Sequence, residues 1–414
     1  MPHYVLDGRT ATPHFPGIGR YVTNLARAMT PLLAHDERLT VLHHPQHPLA
    51  LPASPQVEFL PVAASPFGLA QQWQIPRLLR LLAADLYHSA YVVMPYFPGA
   101  PTVLTVYDLI PILFPQQSSG RARLMARWAN RLALRSARAV LAISDATRRD
   151  YIRHLGVRPD KIVTIPLATE LGGQGAVVSG QSSVVSQRYS LPERYVLYLG
   201  SNKPHKNLVR LIEAWRIVTS SFQLPVSSFQ LPASGLDLNL NLNLSLVIAG
   251  AWDARYPEAR HRVAELGLAD KVIFLGPVAE ADLPALYAGA EMFVFPSLYE
   301  GFGLPALEAM ACGTPVVCSN TSSLPEVTSP PGLCGEETSP PGPLSCEERG
   351  SGAAALLVDP LDVDALAAAI GRVLSDEGLA AQMRARGPAQ AARFSWTRTA
   401  QETLAVYRQV TAGR

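Results

Sequence analysis

Short apolar runs of strand length recur along this chain, separated by stretches in which apolar residues return every three or four positions. Residues 4–7, 39–43, 85–89, 102–106 and 139–143 read as strands of a first series, which residues 161–166 close. Between the first two, a helix predicted to reach Leu33 puts Val22, Leu25, Ala26 and Met29 on one face. Residues 121–140 predict a second helix and 147–155 a third, with Ser144 as its cap. The alternation restarts at 195–200. A helix carrying Leu208, Leu211, Ile212 and Trp215 follows, then strands at 246–250, 272–275, 292–295 and 316–317, with a helix at 283–290. The last helix, 398–410, is amphipathic through Ala400, Leu404, Tyr407 and Val410. Strands and helices alternating in both halves predict an α/β protein with two doubly wound sheets.

Three stretches break the pattern. Residues 169–190 are rich in Gly, Ser and Gln and read as a linker between domains. Residues 221–232 hold SFQLP twice and lead into a leucine/polar alternation over 236–246. Residues 328–348 hold TSPPG twice, each followed by a cysteine and Glu-Glu. The Pro-rich stretch has the composition of a disordered segment, and the Leu/Asn alternation could pair as an edge hairpin with the strand that follows.

Composition narrows the class. A chain of 414 residues accommodates two or three domains, and 48% hydrophobic against 16% charged is a globular balance. A net charge of +2 gives no argument for a nucleic-acid partner. No run approaches the roughly 18 apolar residues of a membrane span. The first strand begins almost at once, without the basic and apolar regions of a signal peptide, and four cysteines do not make a disulfide framework. A cytoplasmic protein is the expectation.

Candidate chemistry gathers in residues 292–310, MFVFPSLYEGFGLPALEAM. A buried-strand run is ended by Pro296 and Ser297, a loop passes through Gly301 and Gly303, and Pro305 opens a helix. Strand, glycine loop and helix N-terminus make an anion site at a sheet's carboxyl edge. Glu300 and Glu308 beside it suit hydroxyl groups, so the inferred ligand is a phosphate joined to sugars. Lys206, where strand gives way to helix, is the natural cation for that phosphate. Gly17-Ile18-Gly19 between first strand and first helix is either a plain tight turn or a place of close ligand approach. Tyr107 and Asp108 follow a strand's carboxyl end. His43, His44 and His47 read as loop histidines, because Pro45 and Pro48 deny them a helix. Arg123, Arg127, Arg131 and Arg135 share one helix face, which is either a solvated face or a contact for anionic lipid or an acidic acceptor.

The spacing E-x7-E with GFGLP inside it closely resembles the signature of the retaining glycosyltransferases of family 4. The resemblance covers nearly the whole chain and is strongest over 195–327. It implies the GT-B architecture, two Rossmann-like domains facing each other across a cleft. The implied domains are an acceptor-side domain at 1–168, a linker at 169–190 and a nucleotide-sugar domain at 191–397, with the helix 398–414 packing back on the first. Family members usually have short connections where this chain carries the repeats, so the stretches at about 218–245 and 328–352 read as insertions. By resemblance, Gly17 and Gly19 face the donor's phosphates and Lys206 holds its diphosphate. Gly303 and Leu304 belong to the donor-binding loop, Glu308 binds the ribose hydroxyls and Glu300 contacts the transferred sugar. Lys203 precedes Lys206 where members often carry an arginine, whose bidentate fork a lysine lacks. Tyr107, before Asp108, stands where many members have a histidine that reaches the transferred sugar.

The activity so implied is retaining transfer of a sugar from a nucleoside diphosphate sugar to an acceptor hydroxyl, in cell-surface polysaccharide or glycoconjugate synthesis. The partners so implied are the donor and a glycan or lipid-linked acceptor; the arginine stripe adds peripheral contact at the inner membrane face only on the second of its two readings, the first being a solvated face. No resident cofactor is implied. Asp362-Val363-Asp364 has the D-x-D form of metal-dependent transferases of another fold, but beside a helix beginning near Ala365 it reads as a cap, and no metal requirement is expected. Two rivals stand beside this reading: a sugar-nucleotide epimerase of the same fold, and a non-catalytic nucleotide-sugar-binding protein suggested by Tyr107 and the missing arginine.

Overall fold

The computed structural model describes residues 1–12, 15–49, 54–171, 179–221, 244–330 and 354–413. The chain forms two compact units, Met1–Ala168 with Phe394–Arg414, and Thr169–Arg393.

The first unit carries a parallel sheet of β1 (His3–Asp7), β2 (Arg38–His43), β3 (Val57–Pro61), β4 (Leu86–Ser89), β5 (Thr102–Val106), β6 (Ala139–Ala142) and β7 (Ile162–Thr164). Its order is β3-β2-β1-β4-β5-β6-β7. Every residue of β4 and β5 is buried, as strands covered by helices on both faces must be. The chain winds outward from β1 to β3, then returns to lay β4 on the other side of β1. Between β1 and β4 the connections diverge, which opens a crevice at the carboxyl ends.

The second unit repeats the plan with β8 (Arg194–Leu199), β9 (Leu244–Ala249), β10 (Val272–Gly276), β11 (Met292–Phe295), β12 (Val316–Ser319) and β13 (Ala355–Val358), in the order β10-β9-β8-β11-β12-β13. Its reversal lies between β8 and β11. Gly250, just past β9, has φ +123°, and a Cβ there would lie 2.2 Å from the Gly200 carbonyl oxygen. Only glycine lets the ends of β8 and β9 approach so closely.

Several boundaries differ from the sequence pattern. The first helix spans Pro16–Met29, so Gly17 and Gly19 lie in its first turn and not in a preceding loop; Pro16 supplies the helical φ at its start. It ends at Met29, and a short 3-10 turn, Thr30–Leu32, continues to Leu33. The arginine-bearing helix spans Gly120–Ser136 and stops short of 140. Ala137 turns extended there, and the Arg138 N–H donates to the Thr102 carbonyl to start β6. Within the Gly/Ser/Gln-rich stretch 169–190, Ser179–Arg188 is a helix of the second unit. Arg188 Nη1 and the Tyr189 hydroxyl both donate to Asp282 Oδ2, at 2.7 and 2.9 Å, which ties the end of that helix down. The repeats at 222–243 and 331–353, with the hairpin and disorder expected of them, lie outside the described residues. The last helix, Trp396–Ala412, belongs to the first unit, where the Tyr407 hydroxyl meets His88 Nδ1 at 2.5 Å. Ser144 and Asp362 are helix caps, accepting from the N–H groups of Thr147 and Ala365.

Candidate functional site

In the second unit the loops after β8 and β11 meet at the strand reversal. The Lys206 Nζ donates to Glu300 Oε1 at 2.6 Å and stands 5.1 Å from the centre of the Phe295 ring, a cation–π distance. Both side chains are mostly buried. Asn207 holds the lysine turn in place from a left-handed backbone at φ +63°. Its Nδ2 donates to the carbonyls of Pro296, at 3.0 Å, and Pro360, at 2.7 Å, tying the Lys206 turn to the loop that carries Glu300. His205 is buried beside the lysine; burial first, then the charges of Lys206 and Lys203, push its pKa down to about 3 and keep it neutral. Lys203 is exposed, and its charge also reaches the Asp253 carboxylate.

Glu300 is held through its main chain. Its N–H donates to Ser322 Oγ and its carbonyl accepts from Ser323 Oγ, both at 2.9 Å, while Thr321 Oγ1 donates to the Leu298 carbonyl at 3.2 Å. Three consecutive hydroxyl residues after β12 thus cradle the glutamate's loop. Sequence reasoning missed them, because nothing in their local pattern points to a residue some twenty positions earlier; only the β11–β12 pairing brings them there.

Gly303 precedes the helix Leu304–Ala311 with φ +95°, and a Cβ on it would lie 2.6 Å from Leu324 Cδ2. Conformation and space both demand glycine. Leu304, half-buried, begins the helix, and Glu308 is buried in it, accepting from the Tyr287 hydroxyl at 3.0 Å. Burial and then the Glu308 charge raise the neighbouring Cys312 thiol to about 12, so that cysteine is no nucleophile. The Ser297 hydroxyl is buried beyond β11 with no hydrogen-bond partner among the described residues. A lone buried hydroxyl of this kind is a natural place for a ligand atom.

The first unit has its own group of candidates at the end of β5. The Tyr107 ring packs edge-on against Tyr21, 5.8 Å between centres, on the helix that holds Gly17 and Gly19. Its hydroxyl is buried and has no partner among the described residues. Burial holds the phenol's pKa well above its ordinary value, so Tyr107 stays neutral. Asp108 Oδ1 accepts from the Ile110 N–H at 3.0 Å. Gly17 is exposed with open space where a Cβ would sit, and Gly19 would bring one to 3.7 Å from Ala11, an ordinary contact. Neither has a positive φ, so glycine is required there by neither strain nor crowding.

On the helix Gly120–Ser136, Arg127, Arg131 and Arg135 are exposed and Arg123 is partly so. With Arg121 they make five arginines and no carboxylate, and none of the five pairs with an acid among the described residues. Leu124, Met125 and Trp128 are exposed beside them, at 57%, 71% and 53%. Leu134, by contrast, packs inward with Asn130 and Ala133. No helix among the described residues is long and apolar enough to cross a membrane.

Known proteins resemble this chain in both sequence and fold. Residues 185–390 match the family described as glycosyl transferases group 1, and residues 16–171 match glycosyltransferase family 4. The chain is 33% identical over 328 residues to the O-antigen chain mannosyltransferase B of Escherichia coli, covering 78% of this chain and 74% of that protein. It is 32% identical over 305 residues to a serotype-specific mannosyltransferase of Escherichia coli, covering 72% of this chain but 32% of that longer protein. Its fold matches that of the Anabaena HepE protein in complex with UDP-glucose, with a TM-score of 0.69, 19% identity, and coverage of 99% and 100% of the two chains. Both parallel-sheet units therefore belong to a GT-B fold, and the chain is a member of the family 4 glycosyltransferases.

Proposed function

We propose that this glycosyltransferase moves a sugar, by the relatives' chemistry a mannosyl group, from a nucleoside diphosphate sugar to a hydroxyl of a growing surface glycan, with retention at the anomeric carbon and without a metal. The observation that carries this reading is the Lys206–Glu300 pair at the reversal between β8 and β11, beside the helix that begins after Gly303. A diphosphate offers more negative charge than one carboxylate, so it takes the ammonium and frees Glu300 to accept hydrogen bonds from sugar hydroxyls. Lys206 and the helix N-terminus then stabilise the leaving phosphate, the role a metal fills elsewhere. Lys203 adds a more distant, solvent-screened charge. Glu308 accepts from ribose hydroxyls, and Leu304 packs beside the nucleotide. In the first unit, Tyr107 donates to a sugar hydroxyl, Asp108 accepts from one, and the open start of the helix at Gly17 and Gly19 allows backbone to approach phosphate. The arginines of the helix Gly120–Ser136 give peripheral contact with anionic lipid.

The test is a thermal-shift screen against UDP-, GDP- and dTDP-sugars, since a ligand that binds the native state raises its stability by mass action. The sugar that binds is then used in transfer assays with excess EDTA, and the product's anomeric configuration is read by NMR. Retained configuration and EDTA-resistant turnover are expected. Activity lost to EDTA and restored by magnesium or manganese overturns the charge assignment to Lys206. Isomerised donor in the absence of any acceptor overturns transfer.

A further inference from the structure

One buried side chain, Asn207, joins three loops at the carboxyl edge of the second unit's sheet. It follows the 3-10 turn Pro204–Lys206, precedes the helix Leu208–Ser221 and is 4% exposed. Its Nδ2 donates to the carbonyls of Pro296, just past β11, and Pro360, just past β13. Its Oδ1 accepts from Arg210 Nη1 at 3.0 Å. A second tie lies on the other side of Lys206, where the His205 carbonyl accepts from the Leu298 N–H at 2.7 Å. Lys206 is therefore held between two bonds to one segment. That segment begins at Phe295, whose ring faces the ammonium, and ends at Glu300, whose carboxylate the ammonium meets.

The position specifies its residue type on three counts. A φ of +63° is a left-handed backbone, which glycine, asparagine and aspartate tolerate best. Two carbonyls call for N–H donors, and of those three residues only asparagine has them in its side chain. Arg210 calls for an acceptor, which the same amide supplies and which fixes which end of it faces which way. An asparagine that merely ended the turn would need the first property alone. We propose that Asn207, oriented by Arg210, is a positioning residue for transfer: it sets the Lys206 ammonium over Phe295 and against Glu300 without itself touching substrate. The proposal rests on the transfer reading above and adds a residue on which the rate depends. An ammonium on a four-carbon stem swings with any tilt of its turn, and a misplacement of about 1 Å can cost about a hundredfold in rate.

Asn207→Gly keeps the left-handed backbone and removes both donors, and Asn207→Asp turns a carboxylate oxygen towards the two carbonyls. With the donor selected by the thermal-shift screen, each variant should lower kcat/KM by between about tenfold and a hundredfold, aspartate by at least as much as glycine. In the glycine variant the further losses from Lys206→Gln and Glu300→Gln should become independent of each other, since the contact they share is already gone. A second readout needs neither donor nor turnover. The rate at which acetic anhydride modifies Lys206, followed by peptide mass spectrometry with Lys161 of the first unit as internal reference, should rise severalfold in Asn207→Gly. Should no nucleotide sugar yield product, the transfer reading falls, and the Lys206 reactivity still decides whether Asn207 places the lysine. Should the glycine variant not fold, Arg210→Ala leaves both donors and frees the amide to turn; it should raise the reactivity of Lys206 and lower kcat/KM, and wild-type values of both overturn the proposal. A lower melting temperature of Asn207→Gly with kcat/KM and Lys206 reactivity at wild-type values shows a brace only and overturns it as well.

Discussion

Lys206 and Glu300 illustrate what one pair of residues can decide. Their charges are close and mostly buried, so removing either leaves the other uncompensated, at a cost of a few kcal/mol that their residual exposure reduces. Lys206→Gln should therefore raise the donor KM and lower kcat, and Glu300→Gln should chiefly lower kcat. The double variant should lose less kcat/KM than the product of the two single losses, because each single change already breaks the same contact. Strict additivity in that cycle would show that the two groups act separately. Glu308→Ala should mainly weaken nucleotide binding, visible as a lost thermal shift with the donor. Ser323→Ala removes the donor to the Glu300 carbonyl and should cost about 1 kcal/mol of stability together with a fall in kcat; an unchanged kcat would show that the hydroxyl cradle only braces the loop. Glu300, Gly303 and Glu308 were legible because they sit in one contiguous strand–loop–helix run. The contact between Lys206 and Glu300 was not, since 94 residues separate them. The serine cradle was hidden for the same reason, and Ser322 adopts φ +55° where its side chain gives no local cue.

At the scale of elements, strands buried on both faces were the easiest to read. The run 292–295 is β11 to the residue, because an uninterrupted apolar stretch between polar ends has few alternatives. The edge strand β3 went unread, since it is half-exposed and carries Glu58. The helix Glu258–Glu265 buries Ala259 and Val263 and has too little apolar stripe to declare itself. The C-terminal helix shows what an amphipathic face cannot announce, which is its polar anchoring. Tyr407 meets His88, whose Nε2 lies 2.7 Å from Thr105 Oγ1, and Arg408 forks onto Glu37 with two contacts of 2.8 Å. Burial pushes His88 down to about 3, so it is neutral in the fold and titrates near 6.5 when unfolded. Protons then favour the unfolded chain. Stability is complete above pH 6.5 and falls as pH drops towards 3, by up to about 1.4 kcal/mol per pH unit for each such histidine. Glu37, held by its Arg408 hydrogen bonds at about 2, adds a further loss as pH falls from its ordinary range towards that value. Urea melts at successive pH values should show this slope. His88→Gln should flatten the part between pH 6.5 and 4 in the first unit, leaving that of His205 in the second; a slope unchanged by the substitution would refute the assignment.

The whole molecule is two sheets on one plan, with the chain leaving the first unit at Ala168 and returning to it at Phe394. Its net charge of +2 conceals a local excess on the helix Gly120–Ser136. Five arginines without a carboxylate would explain a solvated face equally well were it not for Leu124, Met125 and Trp128, which a solvated face has no need to expose. Apolar and indole side chains flanked by arginine are the makeup of a surface that rests at a bilayer's headgroup level. Each arginine that lies near an anionic surface contributes about 1 kcal/mol, so contact of the stripe with acidic lipid, as proposed above, predicts reversible attachment. Wild type should therefore co-sediment with vesicles rich in acidic lipid at low salt and be released as salt rises, because the screening length shrinks to about 3 Å at molar ionic strength. Changing Arg123, Arg127, Arg131 and Arg135 together to glutamine should abolish attachment and spare the fold, since glutamine keeps the helix propensity and none of the four pairs with an acid among the described residues. Trp128→Ala should weaken attachment in a way that salt does not mimic, because it removes buried apolar area and leaves the charge alone. A wild type that stays in the supernatant with acidic vesicles at low salt removes the membrane from the account and leaves the stripe as solvated surface.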